Sequence, residues 1–149
     1  MAKYSARLQR TASTTLAVGS LTAAASSPRR CKIYELIVGS EATPADNAFL
    51  WELQRCTTAG TATAFTPVAL DPADPAATTV AGVNHTVAPT ATAAALLLSA
   101  AVNQRVTMRW VAIPGGELVL PATASNGAVL LTPTSSAVAV TATVHFEEQ

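Results

Sequence analysis

The chain has 149 residues, half of them hydrophobic and only 12% charged, with nine basic against nine acidic side chains. That is one domain's worth of chain, too apolar for a disordered segment and too evenly charged for nucleic-acid binding driven by net charge. Ala and Thr supply roughly a third of the residues, so the apolar content is spread thinly as methyl-sized groups.

Residues 3–10 alternate, with Tyr4, Ala6 and Leu8 against Lys3, Ser5, Arg7 and Gln9, which is strand periodicity. Residues 11–27 are rich in Ala, Thr and Ser and end at Pro28; they read as a second strand through Leu16, Val18 and Leu21, or as a flexible arm. Residues 1–28 are therefore expected to form an N-terminal strand or extended arm, and residues 29–149 the domain proper. Residues 30–38 read as a buried strand stopped by Gly39 and Ser40. Its two faces would be Cys31, Ile33, Glu35 and Ile37, and Lys32, Tyr34, Leu36 and Val38.

Residues 43–47 are a turn cluster around Pro44. Residues 48–55 alternate again, with Phe49, Trp51 and Leu53 on the apolar face and Glu52 and Gln54 opposite, as in a half-buried antiparallel strand. A glycine-containing turn over 58–63 leads to a short strand at 65–70, with Pro67 marking an edge. Asp71-Pro72-Ala73-Asp74-Pro75 excludes regular structure, because each proline lacks a donor and keeps its predecessor extended or turned. Residues 79–87 read as a strand, and 95–101 as either a strand or a short helix.

Residues 104–113 form the clearest strand, with Val106, Met108, Trp110 and Ala112 opposite Arg105, Thr107 and Arg109. Pro114-Gly115-Gly116 then predicts a turn and a returning strand at 117–120, a hairpin. A short strand at 128–131, a turn over 132–135 and a long strand at 137–146 complete the pattern. In the last, Val138, Val140, Val144 and Phe146 point inward and Thr141, Thr143 and His145 outward. Many short strands without a convincing helix predict an all-β domain, a single β-sandwich of jelly-roll type.

Catalytic and metal-binding patterns do not emerge. No serine sits in a nucleophile elbow, and His85 and His145 read as surface strand residues, the latter with only Glu147 and Glu148 close in sequence. Asp71 and Asp74 are too few for a calcium loop, and the two cysteines and two histidines lack zinc-ligand spacing. No enzyme activity, metal or cofactor is expected. Trp51 and Trp110 fall on apolar faces, which suits a core better than a stacking platform. Cys31 and Cys56 would face each other if their strands formed one hairpin about Thr43 and Pro44; otherwise they are small buried hydrophobes, and a reducing compartment disfavours a disulfide. No apolar run reaches the roughly 18 residues that span a bilayer, and the N-terminus lacks the apolar core of a secretion signal.

Charge is unevenly placed. Up to Lys32 every charged residue is basic: Lys3, Arg7, Arg10, Arg29, Arg30 and Lys32. From Glu117 onward every charged residue is acidic. A basic N-terminal segment can clamp an acidic partner surface, and sparsely charged Ala/Thr-rich strands suit a face packed against other subunits.

Several strings carry a resemblance: PVALDPADPAA at 67–77, NHTV at 84–87, NQRVTMRWVA at 103–112, PGGELVLP at 114–121 and TVHFEE at 143–148. Together they cover most of the chain after Arg29 and resemble small virion proteins of tailed bacteriophages, in particular capsid decoration, or cement, proteins. The resemblance implies a small β-sandwich, a homotrimer, bound to the major capsid protein on the outer capsid surface after synthesis in the host cytoplasm. It implies no direct contact with nucleic acid or membrane. Lys3, Arg7, Arg10, Arg29, Arg30 and Lys32 would then belong to a capsid-facing arm, and removal of residues 2–28 would abolish capsid binding while leaving a folded domain. The alternative is a fibre or tail-associated module of a phage that binds a host surface or carbohydrate.

Overall fold

The computed structural model describes residues 1–134 and 137–149, and every regular element among them is a strand. In chain order these are β1 (Lys3–Thr11), β2 (Gly19–Thr22), β3 (Cys31–Ala42), β4 (Ala48–Cys56), β5 (Thr61–Phe65) and β6 (Val68–Ala69). They continue with β7 (Val80–Val87), β8 (Ala91–Asn103), β9 (Met108–Val111), β10 (Leu118–Leu120), β11 (Gly127–Leu131) and β12 (Ala139–Glu148). The turn expected over 132–135 ends outside the described residues.

Two antiparallel sheets pack face to face. The first runs β10-β3-β12-β1-β6, with β9 also on β3; the second runs β5-β7-β2-β11-β4-β8. Consecutive strands from β1 to β4 alternate between the sheets, and β11 and β12 return between them: β12 separates β1 from β3, and β11 separates β2 from β4. This interleaving is the jelly roll, with β5, β6 and β7 inserted between its fourth and fifth strands.

The alternation read from the sequence explains the core. Tyr4, Ala6 and Leu8 from β1 meet Val140, Ala142, Val144 and Phe146 from β12 on the inner face, opposite Phe49, Trp51 and Leu53 of β4. Tyr4 and Phe146 stack with centroids 5.5 Å apart, and Tyr4 Oη donates to the Pro75 carbonyl at 3.1 Å. Each such large apolar side chain contributes about 1.5–3 kcal/mol relative to solvent exposure. β11 threads between β2 and β4 so closely that a Cβ on Gly127 would lie 1.9 Å from the Leu21 carbonyl oxygen; only glycine fits there.

Several expectations change. The strand expected over 104–113 is regular only at Met108–Val111, because Gln104 and Arg105 form the turn that carries the chain from one sheet to the other. The N-terminal segment is not an arm: β1 pairs with β12 over nine residues in the interior of the first sheet, and β2 lies inside the second. Burial of Tyr4, Leu8 and Leu21 makes residues 1–28 part of the core, so removing 2–28 would take a strand from each sheet. The hairpin expected at Pro114-Gly115-Gly116 is also absent. β9 and β10 both run antiparallel to β3, with Val111 opposite Glu35 and Leu118 opposite Ile33. The six residues between them loop out and the chain resumes in its original direction; the Gly116 N–H to Ile113 carbonyl bond closes a turn inside that loop.

β3 and β4 do not form a hairpin either. They belong to different sheets, so Cys31 lies in the main core while Cys56 packs with Ala17 and Val129 in a separate cluster; both thiols are free. Finally, β3 does not alternate evenly. His145 pairs with Glu35 but Phe146 with Ile33, leaving Tyr34 as the extra residue of a β-bulge. Cys31 and Ile33 point inward before the bulge, Leu36 and Val38 after it, and Tyr34 and Glu35 are both turned away from the core.

Candidate functional site

The chain's polar chemistry gathers on the outer face of the first sheet, and the bulge in β3 organises it. Simple alternation groups Glu35 with Cys31, Ile33 and Ile37, and a carboxylate on an apolar face must find partners or be turned away. The bulge does both. Glu35 Oε2 lies 2.6 Å from His145 Nδ1 on β12, and Glu35 Oε1 accepts from Arg109 Nε on β9. The hydrogen bonds from His145 and Arg109 hold the Glu35 carboxyl below its ordinary range against the opposing effect of burial. Tyr34 stacks on the His145 ring at 6.2 Å, and Lys3 Nζ stands 5.5 Å from the Tyr34 ring centroid.

Further charges interlock around this centre. Glu147 sits between Lys3 and Lys32 in the strand register and forms an ion pair with Lys32 at 3.8 Å. Arg7 reaches Glu41 at 3.1 Å and Thr141 Oγ1 at 3.4 Å. The result is a mosaic of paired charges laid across β1, β12, β3 and β9.

The six basic residues singled out from the sequence therefore divide. Lys3, Lys32 and Arg7 lie on this face, and Arg29 and Arg30 are exposed in the loop that enters β3 at its edge. Arg10 does not join them. It turns toward the second sheet and donates from Nη1 to the His85 carbonyl at 2.7 Å, so its role is to tie the sheets together. Glu35, Tyr34 and Arg109 are site residues that pattern reading missed; the acid in an apolar strand was the available signal.

Neither histidine is the plain surface residue expected. His145 is half-buried against Glu35, which is distant in sequence, rather than beside Glu147 or Glu148. His85 is buried, with Nε2 3.1 Å from Ser20 Oγ, and burial together with the nearby Arg10 lowers its pKa. Glu148 is also buried at the end of β12. It accepts from the Thr79 N–H at 2.5 Å and from the Thr78 N–H and Oγ1 at 3.2 and 3.1 Å, pinning the segment before β7. Burial works against its charge, but these bonds prevail and lower its pKa.

The register does place Ser5, His145 and Glu35 in a row across three strands. Among the described residues no hydrogen bond joins Ser5 to His145, so the row lacks the serine-to-base link of a hydrolytic triad. The surface depressions, one lined by Gln54, Ala91 and Leu96 and one by Gln9, Arg10, Glu41 and Asn84, lie elsewhere. Among the described residues no group of three or more His, Cys, Asp or Glu side chains is placed to hold a metal ion. No protein-family model, no curated protein and no solved structure matches the chain.

Proposed function

We propose that this chain is a structural virion protein, a capsid decoration (cement) protein of a tailed bacteriophage that stabilises the head by binding the major capsid protein on the outer capsid surface as a homotrimer. The observation that carries the reading is the charge mosaic on the outer face of the first sheet. Small-molecule sites are concave and mostly apolar, whereas a broad face carrying charges of both signs suits a protein partner of complementary charge. Jelly rolls serve as capsid and lectin domains, which is consistent with a structural part although the fold alone does not assign one. The resemblance of its sequence strings to those of phage virion proteins is in keeping with this reading.

Docking through this face replaces docking through an arm. Lys3, Arg29 and Arg30 meet acidic groups of the shell, while Arg7 and Lys32 stay paired with Glu41 and Glu147 and Arg10 stays in its inter-sheet role. The test is co-sedimentation of the full chain with shells assembled from the major capsid protein of the same genome. Wild type is expected to pellet with shells, and the Arg29→Glu/Arg30→Glu variant to bind about tenfold or more weakly with unchanged circular dichroism. Wild type that stays in the supernatant overturns the assignment. If that same protein instead binds host surface polysaccharide, the fibre or tail module takes its place, with Tyr34 as the outward aromatic that would serve it.

A further inference from the structure

The two flanks of the sandwich are closed differently. On one, the segment between β5 and β7 crosses from the second sheet to β6 in the first and back again. It is held there by the Tyr4 bond to Pro75 and by Glu148 on Thr78 and Thr79. On the other flank, β8 ends the second sheet and β9–β10 end the first, and neither edge has a further partner strand among the described residues. The turn between Asn103 and Met108 joins them.

That flank exposes core. Leu98 pairs with Leu53 and Val102 with Phe49, so both point between the sheets, as do Met108 opposite Val38 and Trp110 opposite Leu36. Their partners on β3 and β4 are buried, yet Leu98, Val102, Met108 and Trp110 all remain half-exposed. They form a seam along the gap between the two edges. β8 itself has thirteen residues, no charge and no proline. Proteins normally protect such an edge with a charge, a proline, a bulge or a covering element; the bulges of β8 lie between Ala91 and Leu98, and the stretch from Leu98 to Asn103, paired regularly with Leu53 to Ala48, carries none of these devices. The nearest charges along the chain, Arg105 and Glu117, sit in the turns that precede β9 and β10, and Arg109 is drawn to Glu35 on the outer face.

We propose that this seam, with the free edge of β8, is the surface through which a second copy of this chain binds. Two observations favour a copy over a foreign partner. An uncharged strand packs against the flank of a neighbouring copy without like-charge opposition, and a charge-depleted apolar core is the mark of homo-oligomer interfaces rather than of transient ones. The area falls within the range of specific interfaces. β8 bulges against β4, so its ends lie beside Ala48 and Cys56 and it runs the length of nine regular residues, ~30 Å at about 3.3 Å each; two sheets ~10 Å apart with their side chains present a flank ~20 Å wide. The product, ~600 Å² per copy and ~1,200 Å² in total, stands at the lower end of the range for specific interfaces. The inference deepens the decoration reading by naming its self-association surface.

The experiment measures mass by light scattering across the micromolar range for the full chain and for Ala100→Lys, with hydrogen exchange of the wild type. Ala100 pairs with Trp51 and points into the seam, so a lysine there reaches water through the open flank of a single chain but is buried in an assembly. Wild type is expected to be multimeric, with slow amide exchange across β8, and the variant to dissociate at a concentration about tenfold or more higher. A wild type of single-chain mass, or a multimer whose β8 amides exchange as fast as exposed edge amides, overturns the inference. If Ala100→Lys fails to fold, the wild-type exchange pattern decides. Shell binding by a single-chain protein would overturn this interface and leave the decoration reading standing.

Discussion

Deleting one residue from the middle of a buried strand normally shifts its register and turns every following side chain to the wrong face. Deletion of Tyr34 should not. Tyr34 is the extra residue of the bulge, and without it Cys31, Ile33, Leu36 and Val38 fall on one face while Lys32, Glu35 and Ile37 fall on the other. The pairs of Ile33 with Phe146 and Glu35 with His145 become consecutive and regular. On the other side of β3, Val111 still meets Glu35 and Leu118 still meets Ile33. The losses are the Ala112 N–H bond to the Tyr34 carbonyl, the stack on His145 and the Lys3 contact. A hydrogen bond of about 1 kcal/mol and two exposed ring contacts of about 0.5–1 kcal/mol each give a cost of about 2–3 kcal/mol. With an unfolding entropy of about 2.1 cal/mol/K per residue over 149 residues, the midpoint falls by about 6–10 °C. Deletion of Ile37 is the control. It must expose either Val38 or the Ile33 and Leu36 pair at about 1.5–3 kcal/mol per side chain, and it breaks register against both β12 and β9. Thermal unfolding followed by circular dichroism compares the two. A Tyr34 deletion that loses its cooperative transition, or an Ile37 deletion tolerated equally well, refutes the bulge argument.

Acid sensitivity should come in two stages. His85 has a folded pKa below its ordinary value near 6.5, so the unfolded chain takes up the proton first and stability declines as pH falls below that value. Glu35 and Glu148 are both held below their ordinary value near 4.5, so their contribution is complete above it and is lost as pH falls further. Denaturant midpoints measured between pH 8 and 3 test this (a pH range set by ordinary His and carboxylate values), and Glu148→Gln should flatten the lower stage; an unchanged pH profile in that variant counts against the Thr78 and Thr79 anchor. The thiols should be silent in the native state. Burial raises the pKa of both, Cys56 to about 11, and they occupy separate clusters. A thiol reagent should label neither until denaturant is added, and a disulfide under mild oxidant would contradict the separation of β3 from β4.

Strand identity came from side-chain chemistry acting locally. The alternation through Tyr4, Ala6 and Leu8, through Phe49, Trp51 and Leu53, and through Val140, Val144 and Phe146 places the same residues in the core that it assigns on paper, because a pleated strand with one wet face leaves no other arrangement. An all-β sandwich follows from those strands. Pairing, by contrast, was decided by contacts between distant segments. Pro114-Gly115-Gly116 is a sound turn, yet it sits inside a loop, because β3 offers a continuous edge that β9 and β10 can share. The N-terminal segment looks like an arm only until β12, more than a hundred residues away, supplies nine partners for β1. The candidate site depends on the same long-range choice. Glu35, His145 and Arg109 come from three strands, and no local pattern announces a bulge that spends one residue to turn a carboxylate out of the core. Period and polarity are written residue by residue, while register is the outcome of burying all the apolar faces at once.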